Sequence, residues 1–539
     1  MARPLDCAIV GAGHNGLACA AYLAGAGLSV AVFERREVVG GAAVTEEFHP
    51  GFRNSAASYT VSLLHPKVIR DLRLADHGLR VVERPFSNFL PAEGGGYLQV
   101  GGGLEATQRE VAKFSAKDAE RLPDYYARLE AVADVLRDLL LETPPNAGGG
   151  IGEMLAAWRS GRTLSRLPLA RKRDVIDLFT QPAAEWLDRW FESEPLKACF
   201  AFDSIVGHFA SPWTPGTAYV LLHHVFGEVN GKKGTWGHAI GGMGAITQAL
   251  AEEARARGVE IRTGCAVSRL RVEKGRAAGV VLEDGTEVAA RCVVGNAHPK
   301  VLERLSGGEG WPALVNHASE SATFRMNVAL SELPDFTCLP GKAAGPHHAS
   351  GIILAPSVDY LDRAHRSAKD RGWSEAPIVE VLVPSVVDDS LAPPGQHVAS
   401  LFCQHFRYRL PDGRSWDDDR ERAADAVIDA VMRHAPNFGA SVIARRIRSP
   451  LDLEREFGLV GGDIFHGKLS LNQLFSARPA LGYGAYRMPL PGLYLCGSGA
   501  HPGGGVTGVP GHNAAREVLK DRRRPGRWPT EGGREPGRS

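Results

Sequence analysis

The chain opens with two apolar runs separated by a glycine-rich loop and a segment of small residues. Residues 5–10 form the first run and residues 28–33 the second, and each predicts a buried strand. Between them, residues 17–26 are mostly small and apolar, as in a helix that packs closely on a sheet. This order of strand, loop, helix and strand predicts the first unit of a parallel α/β sheet.

The loop has the glycine spacing of a dinucleotide-binding turn. Gly11 permits a tight turn, Gly13 lets the backbone approach a pyrophosphate, and Gly16 lets the helix pack closely on the strand. Glu34 follows the second strand, 23 residues after Gly11, where its carboxylate can bind ribose hydroxyls. The loop also places two polar residues at the start of the helix, His14 and Asn15.

A second glycine pair distinguishes FAD from NAD. Gly40, Gly41 and Ala42 come soon after Glu34 and Arg35. NAD does not require such a pair, whereas in flavoproteins with two dinucleotide folds it lets the backbone reach the FAD pyrophosphate from the other side. A simple turn between a strand and a helix is the alternative interpretation.

The far end of the chain carries another glycine-rich loop between a strand and a helix. The predicted strand is 493–495, the loop 497–508 contains six glycines, and the helix runs from about 510 to 519. So much glycine predicts backbone packed against a flat ligand, with the positive end of the helix beside the flavin pyrimidine edge. The predicted cofactor contacts here are Gly497, Gly504, Gly505 and Val506.

The middle of the chain completes the predicted nucleotide domain. A helix is expected to about residue 257, followed by strands at 259–263, 266–273, 279–282 and 287–294. Val267 is the predicted edge contact for adenine. The glycines of this segment form no second G-x-G-x-x-G, so no separate NAD(P)H-binding domain is expected, and oxygen or a quinone is the predicted electron acceptor.

The predicted fold class is α/β, a Rossmann-like FAD flavoprotein of the two-dinucleotide-binding-domain type with a discontinuous α+β substrate domain. The FAD-binding domain is assigned to residues 1–75, 235–300 and 455–521, and the substrate domain to 76–234 and 301–454. Residues 142–164 are rich in proline and glycine and predict a loop. Residues 522–539 predict a disordered tail.

Composition narrows the class of protein further. The 539 residues include 62 Lys and Arg against 61 Asp and Glu, a net charge of +1 that argues against a nucleic-acid partner. Eight scattered cysteines without a C-x-x-C pair indicate neither a dithiol centre nor a zinc ribbon, and no metal site is predicted. The expected location is the cytoplasm. Peripheral membrane contact and a homodimer are both left open.

Together, these motifs resemble the phytoene desaturase-like branch of the amine-oxidase and polyene-desaturase flavoproteins. The resemblance is carried by residues 11–62, with GAGHNGL and VVGGAA, by residues 177–207 together with 236–249, and by residues 464–513, with HPGGG. Within that branch the sequence is most similar to the pyridine nucleotide-disulfide oxidoreductase domain-containing protein 2 group. The resemblance implies bound FAD, but the disulfide chemistry in the group name has no C-x-x-C to support it.

Two departures from the branch affect the expected site. Its desaturases commonly have Arg where this chain has Ala42, so Arg35 or Arg36 would have to neutralise the pyrophosphate. Amine oxidases usually have an aromatic residue where this chain has Gly505, so an aromatic amine cage is not expected.

Hydride transfer to flavin needs orientation and exclusion of water more than an acid–base triad. His501 is the predicted proton-handling residue, with a structural hydrogen bond as its alternative role, and Tyr59 is predicted to line the flavin face. The predicted function is an FAD-dependent oxidoreductase that dehydrogenates, isomerises or oxygenates a hydrophobic, unsaturated substrate such as a polyene, terpenoid or lipid. The alternatives are an amine oxidase and a flavin-bound interaction or assembly protein.

Overall fold

The computed structural model describes residues 3–146, 150–308, 311, 319–524 and 526–528. Its strands are β1 (Leu5–Val10), β2 (Val30–Phe33), β3 (Thr45–His49), β4 (Phe52–Ser55), β5 (Val81–Glu83), β6 (Asn88–Pro91), β7 (Tyr97–Val100), β8 (Glu228–Val229), β9 (Lys232–Lys233), β10 (Gly237–Ala239), β11 (Glu260–Arg262), β12 (Val267–Glu273), β13 (Arg276–Leu282), β14 (Glu287–Gly295), β15 (Phe324–Leu330), β16 (Gly351–Leu354), β17 (Trp373–Leu382), β18 (His397–Phe406), β19 (Val442–Arg448) and β20 (Leu493–Leu495). Its α-helices are α1 (His14–Gly25), α2 (Pro66–Asp71), α3 (Leu104–Val111), α4 (Ala116–Leu140), α5 (Ile151–Ser165), α6 (Leu169–Thr180), α7 (Ala183–Asp188), α8 (Glu194–Asp203), α9 (Thr217–Val225), α10 (Gly244–Ala256), α11 (Pro299–Leu305), α12 (Val358–Arg371), α13 (Trp416–Met432), α14 (Phe438–Ser441), α15 (Pro450–Phe457) and α16 (Val509–Arg522).

The first sheet has the order β11-β2-β1-β14-β13-β12, and β20 also pairs with β14. The pairings of β11 with β2, β2 with β1, β1 with β14 and β14 with β20 are parallel, whereas β12 and β13 add antiparallel strands. Val10 lies opposite both Phe33 and Gly295, so these strands end at one edge of the sheet. In parallel α/β sheets, ligands bind at this carboxyl edge.

Glycine allows the helices to approach this edge closely. A Cβ on Gly16 of α1 would lie 2.3 Å from the carbonyl oxygen of Gly11, which no side chain can tolerate. A Cβ on Gly511 of α16 would lie 2.2 Å from the carbonyl oxygen of Asn15. Glycine at position 16 therefore lets α1 approach the loop after β1, and glycine at position 511 lets α16 approach the first turn of α1.

The second sheet has the order β19-β15-β18-β17-β16-β6-β7 and belongs to a covering domain. Helices α12 and α13 pack on this sheet, and α4 with α6 to α9 form an adjoining apolar core. The strands of the two sheets come from alternating stretches of the chain, as the predicted discontinuous domains require. The exact domain boundaries stay a prediction.

The α/β class and the two-sheet, discontinuous architecture predicted from the sequence agree with these elements. The loop predicted for residues 142–164 is wrong in its second half, where α5 forms. The prolines and most of the glycines of that stretch precede the helix, and residues 151–165 are mainly good helix formers. The predicted disordered tail lies largely outside the described residues, and α16 continues to Arg522.

None of the helices in the described part of the chain has the length and apolar character needed to cross a bilayer.

A buried arginine joins two loops at the edge of the first sheet. The Arg478 side chain is fully buried and donates hydrogen bonds to the carbonyl oxygens of Phe465, Gly467, Lys468, Gln473 and Ser498. Burial lowers the pKa of its guanidinium to about 10, so the group stays charged at neutral pH. Residues 465–478 are thereby attached to the glycine-rich loop after β20.

Replacing Arg478 with Met should lower the free energy of unfolding by about 3–5 kcal/mol, because several buried carbonyl oxygens lose their donor. Urea unfolding of the purified protein measures this loss. Arg53→Met, at an exposed position of β4, is the control and should change stability by about 0.5 kcal/mol or less. Equal effects of the two substitutions would contradict the assigned role of Arg478.

Candidate functional site

One cavity of about 400 Å³ extends along the carboxyl edge of the first sheet and into the covering domain. The glycine-rich loop after β1, the end of β2 and the start of β12 line its nucleotide-domain part. Residues from α8, α9 and β17 line its covering-domain part. The two domains therefore share one site.

Glycine backbone forms the nucleotide end of this cavity. Gly11 has a φ of +96° and Gly41 a φ of +56°, both in the region that favours glycine. Gly13 pairs with Gly40 in an isolated β-bridge, and a Cβ on Gly41 would lie 3.4 Å from the Cα of Gly13. The two predicted glycine motifs thus meet face to face beside the N-terminus of α1, which favours a phosphate group.

Glu34 is held where a ribose would need it. Its Oε2 accepts a hydrogen bond from the backbone N–H of Ala12 at 2.8 Å, and its Oε1 accepts one from that of Arg36 at 3.0 Å. The side chain is buried yet lines the cavity. These backbone donors fix the carboxylate at the end of β2 as an acceptor for hydroxyl groups.

The structure separates the two arginines considered for the pyrophosphate. The Arg35 guanidinium donates to the carbonyl oxygens of Arg455 and Glu456 at the end of α15, at 3.1 and 2.7 Å. Arg36 instead lies 4.8 Å from the ring centre of Phe457 and donates to the carbonyl oxygen of Gly41 at 3.5 Å. Since Gly41 belongs to the second glycine pair, Arg36 is the better placed of the two.

Most of the predicted site residues line this cavity. They are Gly11, Gly13, His14, Glu34, Arg35, Gly40, Gly41, Ala42, Tyr59, Val267, Gly505 and Val506. Those that do not line it are Asn15, Gly16, Gly497, Gly504 and His501. Gly504 is pressed against Phe465, and Gly497 against the backbone of Asn296, so both serve close packing of the loops.

His501, predicted to handle protons or else to make a structural hydrogen bond, lies outside the residues that line this cavity, and its contacts are those of the structural role. Its Nε2 forms a hydrogen bond with the carbonyl oxygen of Leu139 at 3.2 Å, and its ring packs against Phe475. Burial lowers the pKa of the imidazole to about 4, so it is neutral at physiological pH. The sequence placed it correctly in the glycine-rich loop, but the loop turns its side chain away from the cavity.

The nucleotide end fits a dinucleotide in its polar groups as well. The Nε2 of His14 and the Oδ1 of Asn15 are buried and have no hydrogen-bond partner among the described residues. Both belong to the first turn of α1, beside the glycine cradle. A bound pyrophosphate is the kind of group that accepts a hydrogen bond from an N–H of His14, whereas the Asn15 oxygen needs a donor such as water.

The covering-domain part of the cavity holds a buried cluster of charged groups that sequence analysis missed. The Tyr59 hydroxyl donates to the Oε2 of Glu380 at 2.5 Å, and the Arg84 guanidinium donates to the Thr60 hydroxyl at 2.5 Å. The Arg325 guanidinium lies 4.4 Å from the centre of the Tyr59 ring. Burial and the neighbouring Glu380 raise the pKa of the Tyr59 hydroxyl, so this tyrosine stays protonated.

Asp203 ends α8 and faces the same part of the cavity. Its carboxyl group has no hydrogen bond or salt bridge within the described part of the chain. Burial, together with the nearby Glu380, raises its pKa to about 8. Burial also raises the pKa of Glu380, although Arg84 and Arg325 oppose that effect. In the sequence, each residue is a single acid within an apolar run, CFAFD at Asp203 and IVEVL at Glu380, and this pattern could have indicated a buried carboxyl group.

A family model described as "Flavin containing amine oxidoreductase" matches residues 16–322, more than half of the chain. The chain belongs to the flavin-containing amine oxidoreductase family. This membership confirms the predicted FAD, which the glycine cradle, Glu34 and the start of α1 would hold. Members of this family are FAD-dependent oxidoreductases.

Relatives agree with this assignment. The pyridine nucleotide-disulfide oxidoreductase domain-containing protein 2 of Mus musculus is 43% identical over 96% of this chain and 93% of its own length. A lycopene-forming phytoene desaturase of Pantoea ananas is 26% identical over 95% and 98%. The predicted resemblance is therefore confirmed. Cyclohexylamine oxidase of Brevibacterium oxydans shares the fold, with a TM-score of 0.55 and 16% identity over 97% of this chain and all of its own.

Gly13→Val should abolish FAD retention, because the added side chain fills the space between the two glycine motifs. The folded state should survive, since the nearest atom to a Cβ is the movable Asn296 amide at 2.8 Å. Visible flavin absorbance per purified chain measures retention. Gly341→Val is the control, because a Cβ there meets nothing within 4 Å. Full retention in Gly13→Val would overturn the placement of the pyrophosphate.

Proposed function

We propose that this protein dehydrogenates a hydrophobic, unsaturated substrate, such as a polyene, terpenoid or other lipid, in the covering-domain part of the cavity. The observation that carries the proposal is the continuity of the nucleotide cradle with walls that are mainly apolar and aromatic. These wall residues are Leu63, Phe202, Val206, Trp236, Ile464 and Phe465. Such walls exclude water and favour a substrate with little polarity of its own.

Bound FAD supplies an acceptor for a hydride equivalent. Loss of hydride from one carbon acidifies the C–H bond of its neighbour. We assign the Asp203 carboxylate as the acceptor of the proton from that neighbouring C–H bond. The electron pair of the bond then forms the new carbon–carbon double bond. A carboxyl with a pKa of about 8 is a stronger base than an ordinary aspartate and still ionises near neutral pH.

The surrounding cluster supports this assignment. Tyr59 holds Glu380 in place, so we treat Tyr59 as a positioning residue. Arg84 and Arg325 offset the charge of Glu380, which otherwise would keep Asp203 protonated to higher pH.

The acceptor that reoxidises the flavin is proposed to be oxygen or a quinone. The segment 235–300 has no G-x-G-x-x-G for a nicotinamide nucleotide, and its strands β11 to β14 belong to the same sheet as the FAD cradle. The phytoene desaturase similarity supports a polyene-like substrate.

Anaerobic titration of the purified flavoprotein tests the function. We expect NADPH to leave the visible flavin bands unchanged, whereas a polyene or terpenoid substrate bleaches them and a quinone or oxygen restores them. Bleaching by a primary amine instead would favour an amine oxidase, and bleaching by NADPH a reductive enzyme. Failure of every reductant except dithionite would favour an interaction protein with a bound flavin.

Asp203→Asn removes the proton acceptor with almost no change in side-chain volume. In the parent protein the rate of flavin reduction by substrate should rise with pH up to about 8, because the carboxyl must be ionised. In the variant that rise should disappear and the rate should fall by on the order of 100-fold. Stopped-flow reduction across a pH series measures both, and an unchanged pH profile would remove Asp203 from the mechanism.

The same variant has a readout that does not depend on turnover. An unfolded aspartate titrates at about 3.9, whereas Asp203 in the folded protein has a pKa of about 8. Between these values the folded state keeps a proton that the unfolded state has lost, so parent stability falls as pH rises. Asp203→Asn should therefore gain stability relative to the parent as pH rises toward 8, whereas Asp370→Asn, exposed on α12, should not.

A further inference from the structure

Helices α5 and α6 expose large apolar side chains to solvent. Met154, Leu155 and Trp158 of α5 and Leu169 and Ile176 of α6 are each between 54% and 83% exposed. The α5 residues stand at positions i, i+1 and i+4, and the α6 residues are seven apart, so each set lies on one side of its helix. So many exposed large apolar side chains on two consecutive helices are unusual for a surface that contacts only water.

The same stretch is strongly basic, although the whole chain is nearly neutral. Residues 154–173 contain six Lys and Arg and no Asp or Glu. Arg171 and Arg173 are paired with acids further along α6, at 3.3 and 3.7 Å. Arg162 instead lies over the Trp158 ring at 5.3 Å, and Arg166 is exposed, so positive charge remains beside the apolar side chains.

We propose that this surface, the α5–α6 face, docks on a membrane that contains anionic lipids. Apolar side chains interleaved with arginine and lysine match the two layers of a bilayer surface, acyl chains below and negatively charged headgroups above. Trp158 with Arg162 over its ring is suited to the interface itself, where aromatic residues of membrane proteins concentrate. A nucleic acid would match the charge and leave the apolar side chains in water.

The α5–α6 face is also connected to the cavity through direct packing. Phe179 of α6 contacts Tyr219 of α9 with ring centres 4.7 Å apart. His224, one helical turn further along α9, lines the cavity. A protein docked by this face would hold the covering domain, and not the nucleotide domain, against the lipid.

Sedimentation with lipid vesicles tests the proposal on the full-length, FAD-loaded protein. Vesicles of phosphatidylcholine alone are compared with vesicles that also contain phosphatidylglycerol, each at low and at high salt. We expect strong binding only to the anionic vesicles, weakened by high salt because the charge attraction is screened. Absence of binding to anionic vesicles at low salt would overturn the proposal.

Two sets of substitutions separate charge from apolar contact. Replacing Arg162, Arg166 and Lys172 together with Gln should weaken partitioning on the order of 100-fold, at about 5-fold per charge near an anionic surface. Replacing Leu155, Trp158 and Leu169 with Ser should abolish the binding that survives high salt. Both variants should keep the flavin spectrum of the parent, which shows that they fold.

Matched controls lie elsewhere on the surface. Exposed basic residues are represented by Arg53, Arg109 and Lys342, replaced together with Gln, and an exposed apolar residue by Leu481→Ser. The controls should bind vesicles like the parent. If the controls weaken vesicle binding as much as the α5–α6 variants do, the proposal fails. It also fails if the apolar variants dissociate a dimer detected by ultracentrifugation without affecting vesicle binding, because the face then binds a second copy of the chain.

Discussion

The architecture of the site depends on the hydrogen bonds that the buried guanidinium of Arg478 donates. The guanidinium donates hydrogen bonds to carbonyl oxygens of residues 465–473 and of Ser498, so the loops before and after β20 share one buried donor. Phe465 in the first loop and Ser498 in the second both line the cavity. Asp463, whose carboxylate accepts from the backbone N–H groups of Phe465 and Gly467, supplies the counter-charge. Without that donor, the backbone that shapes the cavity would bury unpaired carbonyls, which is costly in a water-excluded region.

The two domains contribute opposite kinds of surface to one cavity. The nucleotide domain presents backbone, because glycine at positions 11, 13, 40 and 41 removes the side chains. The covering domain presents side chains that are either apolar or charged in compensating pairs. Glu380 lies near Arg84 and Arg325, and its hydrogen bond comes from Tyr59. Compensation of this kind lets ionisable groups lie beside apolar walls with less uncompensated charge in the pocket.

The nucleotide end of the cavity could be predicted from the sequence because the residues that form it are recognised from their near neighbours in the chain. The turn at Gly11, the close approach at Gly16 and the acid after β2 each follow from neighbours a few residues away. Asp203 and Glu380 could not be assigned in this way, because their chemistry arises from burial between elements more than 170 residues apart. The contacts of His501 could not be predicted for a related reason: its place in a glycine-rich loop is local, but the direction of its side chain depends on α4, where the Leu139 carbonyl oxygen forms its hydrogen bond. The helix α5 was missed because the prolines before it dominated the composition of the segment.

The two ends of the cavity surround their carboxyl groups differently. At the nucleotide end, backbone N–H groups hold Glu34 in a geometry suited to receiving hydroxyl groups. At the covering end, Asp203 has no comparable donors, and the pKa of its carboxyl rises to about 8. One carboxyl is thereby a fixed acceptor for hydroxyl groups, and the other has the raised pKa that suits the base we propose. The difference comes from the number of donors that the surrounding backbone offers, since both residues carry the same functional group.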